Sequence, residues 1–124
     1  MARPHVRGLT ENELEIMQVL WKQSPTSIAD ILDRLQKKPK PAYNSVLTLV
    51  RILEKKGHVD HKKEGKAFLY YPLLDRQYYR QSEVKNLLSC LFQGDVVDLA
   101  VSLVKSKSLT GSDRQELKRL LEEL

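Results

Sequence analysis

A chain of 124 residues, 41% hydrophobic and 30% charged with a net charge of +5, has room for one or two small units, each with a modest core. No apolar run approaches the roughly 20 residues that a membrane-spanning helix needs, and the opening MARPHVRGLT is charged without an apolar centre, so neither membrane insertion nor a secretory signal is expected. One cysteine, Cys90, excludes an internal disulfide, and a cytoplasmic protein is predicted.

The first helix is announced by Leu9-Thr10-Glu11-Asn12-Glu13-Leu14. Thr10 is placed to cap, Glu13 to complete a capping box, and Leu9 to staple onto Leu14. The helix is expected to run to about Gln23, with Leu14, Met17, Leu20 and Trp21 as its buried stripe and Trp21 as a core residue. Ser24-Pro25 breaks it. Thr26 or Ser27 caps a second helix to about Lys37, whose stripe is Ile28, Ile31, Leu32 and Leu35. Lys38-Pro39-Lys40 links it to the next element.

The stretch PAYNSVLTLVRILEKKG, Pro41 to Gly57, reads as a helix with two opposed faces. Ala42, Val46, Leu49, Val50 and Leu53 make an apolar stripe. Asn44, Thr48, Arg51 and Lys55, at i, i+4, i+7 and i+11, share the other face, which carries hydrogen-bond donors and positive charge. Pro41 suits the first helical position and Gly57 the left-handed residue that closes the end. His58 to Lys63 and Ala67 to Tyr71 are two extended runs around the turn signal Glu64-Gly65-Lys66, and Pro72 ends the second. They predict a small hairpin that packs on the helices, with Lys62, Lys63 and Lys66 near its tip. Alternation separates Phe68 and Tyr70 from Leu69 and Tyr71 and leaves the inward pair open. A polar helix face followed by a basic hairpin is the arrangement of a winged helix-turn-helix.

Asp75 caps a long helix to about Phe92 with Val84, Leu87, Leu88, Leu91 and Phe92 on one stripe, and Gln93-Gly94 ends it. Asp95 caps VVDLAVSLV, which is apolar nearly all round and so needs cover on several sides. After the loop Lys105–Ser108, Leu109-Thr110 opens a last helix, with Asp113 completing the capping pattern and Leu117, Leu120, Leu121 and Leu124 as its stripe. Three helices are too few to bury that much apolar surface alone. A second copy of the chain is the expected cover, with Leu87, Leu88, Leu91, Val97, Val101, Leu117, Leu120 and Leu121 at a twofold interface; the alternative is a helical cap folded back on the first unit. Charge divides at the same place: up to Leu74 there are 13 Lys and Arg against 8 acids, and from Asp75 onward 8 against 8. A basic DNA-binding unit, 1–74, and a neutral helical dimerisation unit, 75–124, are therefore predicted, in a mainly α fold.

Together, LTENELEIMQVLW, AYNSVLTLVRILEKKGHVDHKKEGKAFLYYPL and SLTGSDRQELKRLLEE resemble the penicillinase/methicillinase repressor family, BlaI/MecI/CopY, over nearly the whole chain. The resemblance implies a winged helix followed by a helical dimerisation domain. It also implies repression through a dyad operator, in genes of β-lactamase type or related stress genes such as those of antibiotic resistance. By position it puts Asn44, Ser45 and Thr48 on base edges in the major groove. Lys40, Tyr43, Arg51, Lys55 and the wing residues Lys62, Lys63 and Lys66 complete the predicted DNA contacts. Two departures stand out. Staphylococcal members are cleaved at an Asn-Phe bond that aligns to Ser102-Leu103 here, so a cognate membrane sensor protease acting on this chain would use another bond. Copper-responsive relatives end in a cysteine-rich motif, whereas this chain ends in LLEEL, so that sensor is not expected.

No metal or cofactor is predicted: His5, His58 and His61 do not form a ligand pattern along the chain, and Cys90 reads as a small core residue. Without a phosphate loop, a nucleophile elbow or credible paired carboxylates, no catalytic residue is assigned. The rival reading to a repressor is a winged-helix module that binds protein without reading DNA.

Overall fold

The computed structural model describes residues 8–124. The element order is α1 (Glu11–Lys22), α2 (Ile28–Arg34), α3 (Tyr43–Lys55), β1 (Val59–Glu64), β2 (Ala67–Pro72), α4 (Arg76–Phe92), α5 (Val96–Lys105) and α6 (Gly111–Glu123). The readings made on MARPHVR, His5 among them, lie outside the described residues. The chain forms two compact units that part between Ser82 and Glu83, so the start of α4 belongs with the first.

In the first unit, Ile16, Met17 and Leu20 of α1, Ile28 and Ile31 of α2, and Val46, Val50 and Leu53 of α3 bury one core with Leu35, Val59 and Tyr70. Full burial of each such side chain stabilises by about 1.5–3 kcal/mol. Met17 and Leu20 of the predicted α1 stripe are buried, while Ile16, at 1% exposed, takes the place expected of Leu14, which is half-buried. Trp21 packs against this core, and its indole N–H donates to the Leu74 carbonyl at 2.8 Å.

Helix ends follow local chemistry. Thr10 and Glu13 form the reciprocal capping box of α1. Ser27, not Thr26, caps α2. Thr26 is buried and instead exchanges two backbone hydrogen bonds with Tyr70, at 2.9 and 2.8 Å. α2 ends at Arg34, short of the predicted Lys37, because Leu35 turns extended (ψ 134°) and stays in the core. α3 begins at Tyr43, not at Pro41. Ala42 is extended (ψ 154°), so it serves as the N-cap, and it is exposed instead of joining the apolar stripe. Gly57, at φ +86°, closes α3 in the left-handed conformation that glycine adopts without strain.

The two strands pair antiparallel, with Val59 opposite Pro72 and Glu64 opposite Ala67. The Thr26–Tyr70 bridge pins the hairpin to the segment between α1 and α2, and this selects the inward residue: Tyr70 is buried while Phe68 is exposed.

Glu13 does more than cap. It is 2% exposed, accepts the Thr10 N–H at 2.9 Å, and accepts Lys56 Nζ at 3.2 and 3.1 Å, which ties α1 to the end of α3. Burial alone would raise its carboxyl, but the Thr10 hydrogen bonds and the Lys56 ammonium outweigh it, and the carboxyl titrates below its ordinary value. A lowered folded value means that this stabilisation is present above the unfolded carboxylate pKa and is lost as pH falls through the folded one. Lys56→Met should therefore cost about 1–3 kcal/mol at neutral pH and flatten the acid limb of stability below about pH 4.5. Urea melts of both proteins at pH 7 and pH 3 measure this; an equal loss between those pH values in both would refute the pairing.

Asp75 supplies its predicted cap at the start of α4 in the first unit, and in the second unit Asp95 and Thr110 supply theirs. Gln93 (φ 48°) and Gly94 (φ 84°) end α4 as expected. The apolar stripes form, but one chain does not cover them. α5 and α6 hold no buried residue, Val97 is 71% exposed, and Leu87, Leu91, Val101, Leu117, Leu120 and Leu121 are exposed with it. Cys90 is also exposed and not a core residue; it lies on the outside of α4 with Sγ 3.3 Å from Asn86 Oδ1. Among the described residues, no single helix is long and apolar enough to cross a membrane.

Candidate nucleic-acid interface

The core residues of α3 recur at Val46, Val50 and Leu53, with Leu47 and Leu49 half-buried beside them, so the opposite face of the helix points outward. Asn44, Ser45, Thr48, Arg51 and Lys55 are all exposed, and Tyr43 joins them at the first turn. The structure thus brings six of the predicted residues onto one helix and its solvent side.

The start of α3 differs from the other helices. Thr10, Ser27, Asp75, Asp95 and Thr110 place a side-chain oxygen on the first turn of α1, α2, α4, α5 and α6. Ala42 has no such oxygen, and the first turn of α3 has no acid. Its leading N–H groups and the positive end of its dipole therefore meet solvent without a built-in anion, which is the condition under which a helix start accepts a phosphate.

The wing lysines are dispersed. Lys62 stands 4.0 Å from Glu64, Lys63 lies over the Phe68 ring at 5.8 Å, and Lys66 follows Gly65 in the tight turn. All three are exposed and project from the hairpin, and their exposed pairings are weak enough to exchange for a phosphate. Lys40 is drawn elsewhere: its ammonium donates to the Asp33 carbonyl at 2.7 Å, near the end of α2.

A cleft separates α3 from the wing, with Tyr43, Leu47, Arg51, His61, Lys66 and Phe68 among its lining residues. Glu54, which the sequence reading passed over, turns toward the wing from α3, and its Oε2 lies 2.6 Å from His61 Nδ1. The His61 ring meets Phe68 edge-on at 5.3 Å and Tyr70 at 5.5 Å. Burial, then the nearby Glu54 carboxylate, pushes the Tyr70 hydroxyl up. His58, behind the end of α3, is held below its ordinary value by burial and by the Lys56 ammonium. No spacing rule joins Glu54 to His61, because the contact forms only when the hairpin folds back on the helix.

Comparison with known proteins matches this arrangement. A family model described as penicillinase repressor matches residues 9–123. A penicillinase repressor of Bacillus licheniformis is 29% identical over 115 residues, covering 93% of this chain and 90% of that protein. The methicillin resistance regulatory protein MecI of Staphylococcus aureus (strain N315) is 26% identical over 113 residues, covering 91% and 92%. Among solved structures, the DNA-binding domain of the repressor BlaI superposes with a TM-score of 0.51 at 31% identity, covering 60% of this chain and 90% of that one. The match runs through both units, with the winged helix at its head, and the chain belongs to the penicillinase repressor family, a family of transcriptional repressors and not of enzymes.

Proposed function

We propose that this chain acts in the cytoplasm as a homodimer on a dyad operator and represses genes of β-lactamase type or related stress genes. The observation that carries the reading is the outward face of α3: exposed donors and cations, an uncapped helix start, and a lysine-bearing hairpin beside it. Asn44, Ser45 and Thr48 read base edges, Arg51, Lys55, Lys62, Lys63 and Lys66 neutralise phosphates, and Tyr43 packs at the helix start. Two copies place their α3 helices in major grooves about one helical turn, or a small multiple of it, apart. A chain bound there obstructs polymerase. The uncovered apolar faces of α4, α5 and α6 support a second copy as the partner of the second unit. The bond aligned with the family's cleaved Asn-Phe is Ser102-Leu103, within α5, and keeps neither residue, so a membrane sensor protease acting on this chain would use another bond.

Gel shifts on the chain's own upstream region, at two salt concentrations and with random DNA as competitor, test the reading. A specific shift at a dyad supports it. A shift that random DNA competes equally removes the base contacts, and no shift at low salt favours a protein-binding winged helix instead. Asn44→Ala should cost about 1–3 kcal/mol on the operator and little on random DNA. Lys62→Ala should weaken every sequence alike and lower the salt slope by about one unit. If Asn44→Ala weakened both DNAs equally, its assignment as a base reader would fail.

A further inference from the structure

Glu54 of α3 and Asp60 and His61 of β1 bring two carboxylates and an imidazole together, with one ligand atom from each lying within 4.8 Å of the others. We propose that these three residues form a binding site for a divalent transition-metal cation, of the zinc class, where the wing meets the recognition helix. Tertiary folding assembles the set, since Glu54 comes from a different element than the adjacent pair Asp60 and His61.

The donor chemistry selects the cation. An imidazole nitrogen with carboxylate oxygens suits zinc, cobalt or nickel, whereas calcium and magnesium favour all-oxygen sets. The donors are already held. Asp60 folds back so that its Oδ1 accepts the His61 backbone N–H at 2.7 Å, and Phe68 and Tyr70 flank the His61 ring. His61 Nδ1 and Glu54 Oε2 now touch at 2.6 Å. Two bonds of about 2.1 Å at a tetrahedral angle would set them roughly 3.4 Å apart. Small side-chain rotations supply that change, because His61 is exposed and Glu54 only half-buried. Three protein ligands leave positions for water, so the site is open and exchangeable.

Metal binding has a consequence for the surface around it. Arg51 and Lys66 line the same cleft as Glu54 and His61, and the Asp60 carboxylate, within 4.8 Å of that of Glu54, adds to the negative charge beside them. A bound dication cancels that charge and bridges α3 to β1, fixing the wing against the helix. Both effects act in one direction, toward tighter DNA binding. This second step rests on the operator-binding reading; the binding of the metal does not.

Titration calorimetry of the full chain with zinc, and visible absorption with cobalt, test the site without DNA. The expected result is one cation per chain and a zinc-dependent rise in melting temperature, both lost in His61→Ala and in Glu54→Gln and kept in His58→Ala and His5→Ala. Melting without metal verifies that each variant folds. Unchanged stoichiometry and affinity in His61→Ala and Glu54→Gln, or no binding by the unaltered chain, would overturn the proposal. In the gel shift, zinc should tighten operator binding several-fold in the unaltered chain and leave His61→Ala unmoved. Binding of metal with no change on DNA would remove the coupling and keep the site.

Discussion

Replacing both Val97 and Val101 with Asp should convert the protein to a monomer and lower operator affinity by about 10²–10⁴-fold, the loss expected when two linked contacts become independent. Both side chains are exposed on α5 in a single chain, at 71% and 42%, so an isolated chain tolerates the change. A twofold interface does not, because each substitution appears twice and buries unpaired carboxylates against an apolar partner. The winged unit buries its own core without any residue of α5. It should therefore keep its fold and its weak, salt-sensitive affinity for random DNA. Sedimentation at tens of micromolar (an order at which a stable dimer persists) with operator titrations on the same samples measures both effects. If the double variant still sediments as a dimer, α5 is not in the interface. If it is a monomer that binds the operator as tightly as before, the dyad reading is lost.

Leu53→Ala should cost about 2–5 kcal/mol, a large part of the roughly 5–15 kcal/mol that holds a domain of this size. Leu53 is 0% exposed, within the core that α3 shares with α1, α2 and the hairpin. Its truncation removes apolar contact and leaves a cavity that close-packed neighbours fill only partly. Ile52, its neighbour in sequence, is 39% exposed, and Ile52→Ala should stay within about 0.5 kcal/mol. Denaturant melts of the pair separate buried from exposed face. Equal midpoints would mean that the helix is rotated from the orientation that presents Asn44, Thr48 and Arg51 to solvent. At temperatures where Leu53→Ala is still folded, its salt dependence on DNA should match that of the unaltered chain, because no phosphate-facing group has changed.

Sequence alone determined the elements and much of their facing. Thr10 with Glu13, and Thr110 with Asp113, announce helix starts through local hydrogen bonds that need nothing distant. The recurrence of Val46, Val50 and Leu53 orients α3, and the outward place of Asn44, Thr48, Arg51 and Lys55 follows from helical geometry. Where the expected boundaries moved, at Leu35 and at Ala42, burial and an extended backbone overrode propensity by two or three residues. Alternation in β2 could not choose between Tyr70 and its neighbours, because period two makes both faces equivalent until something covers one. The bridge to Thr26 made that choice. The pairing of Glu13 with Lys56 and the gathering of Glu54, Asp60 and His61 belong to tertiary structure alone. Each joins groups on separate elements, and periodicity within one helix or strand carries no information about which face of another element will lie against it.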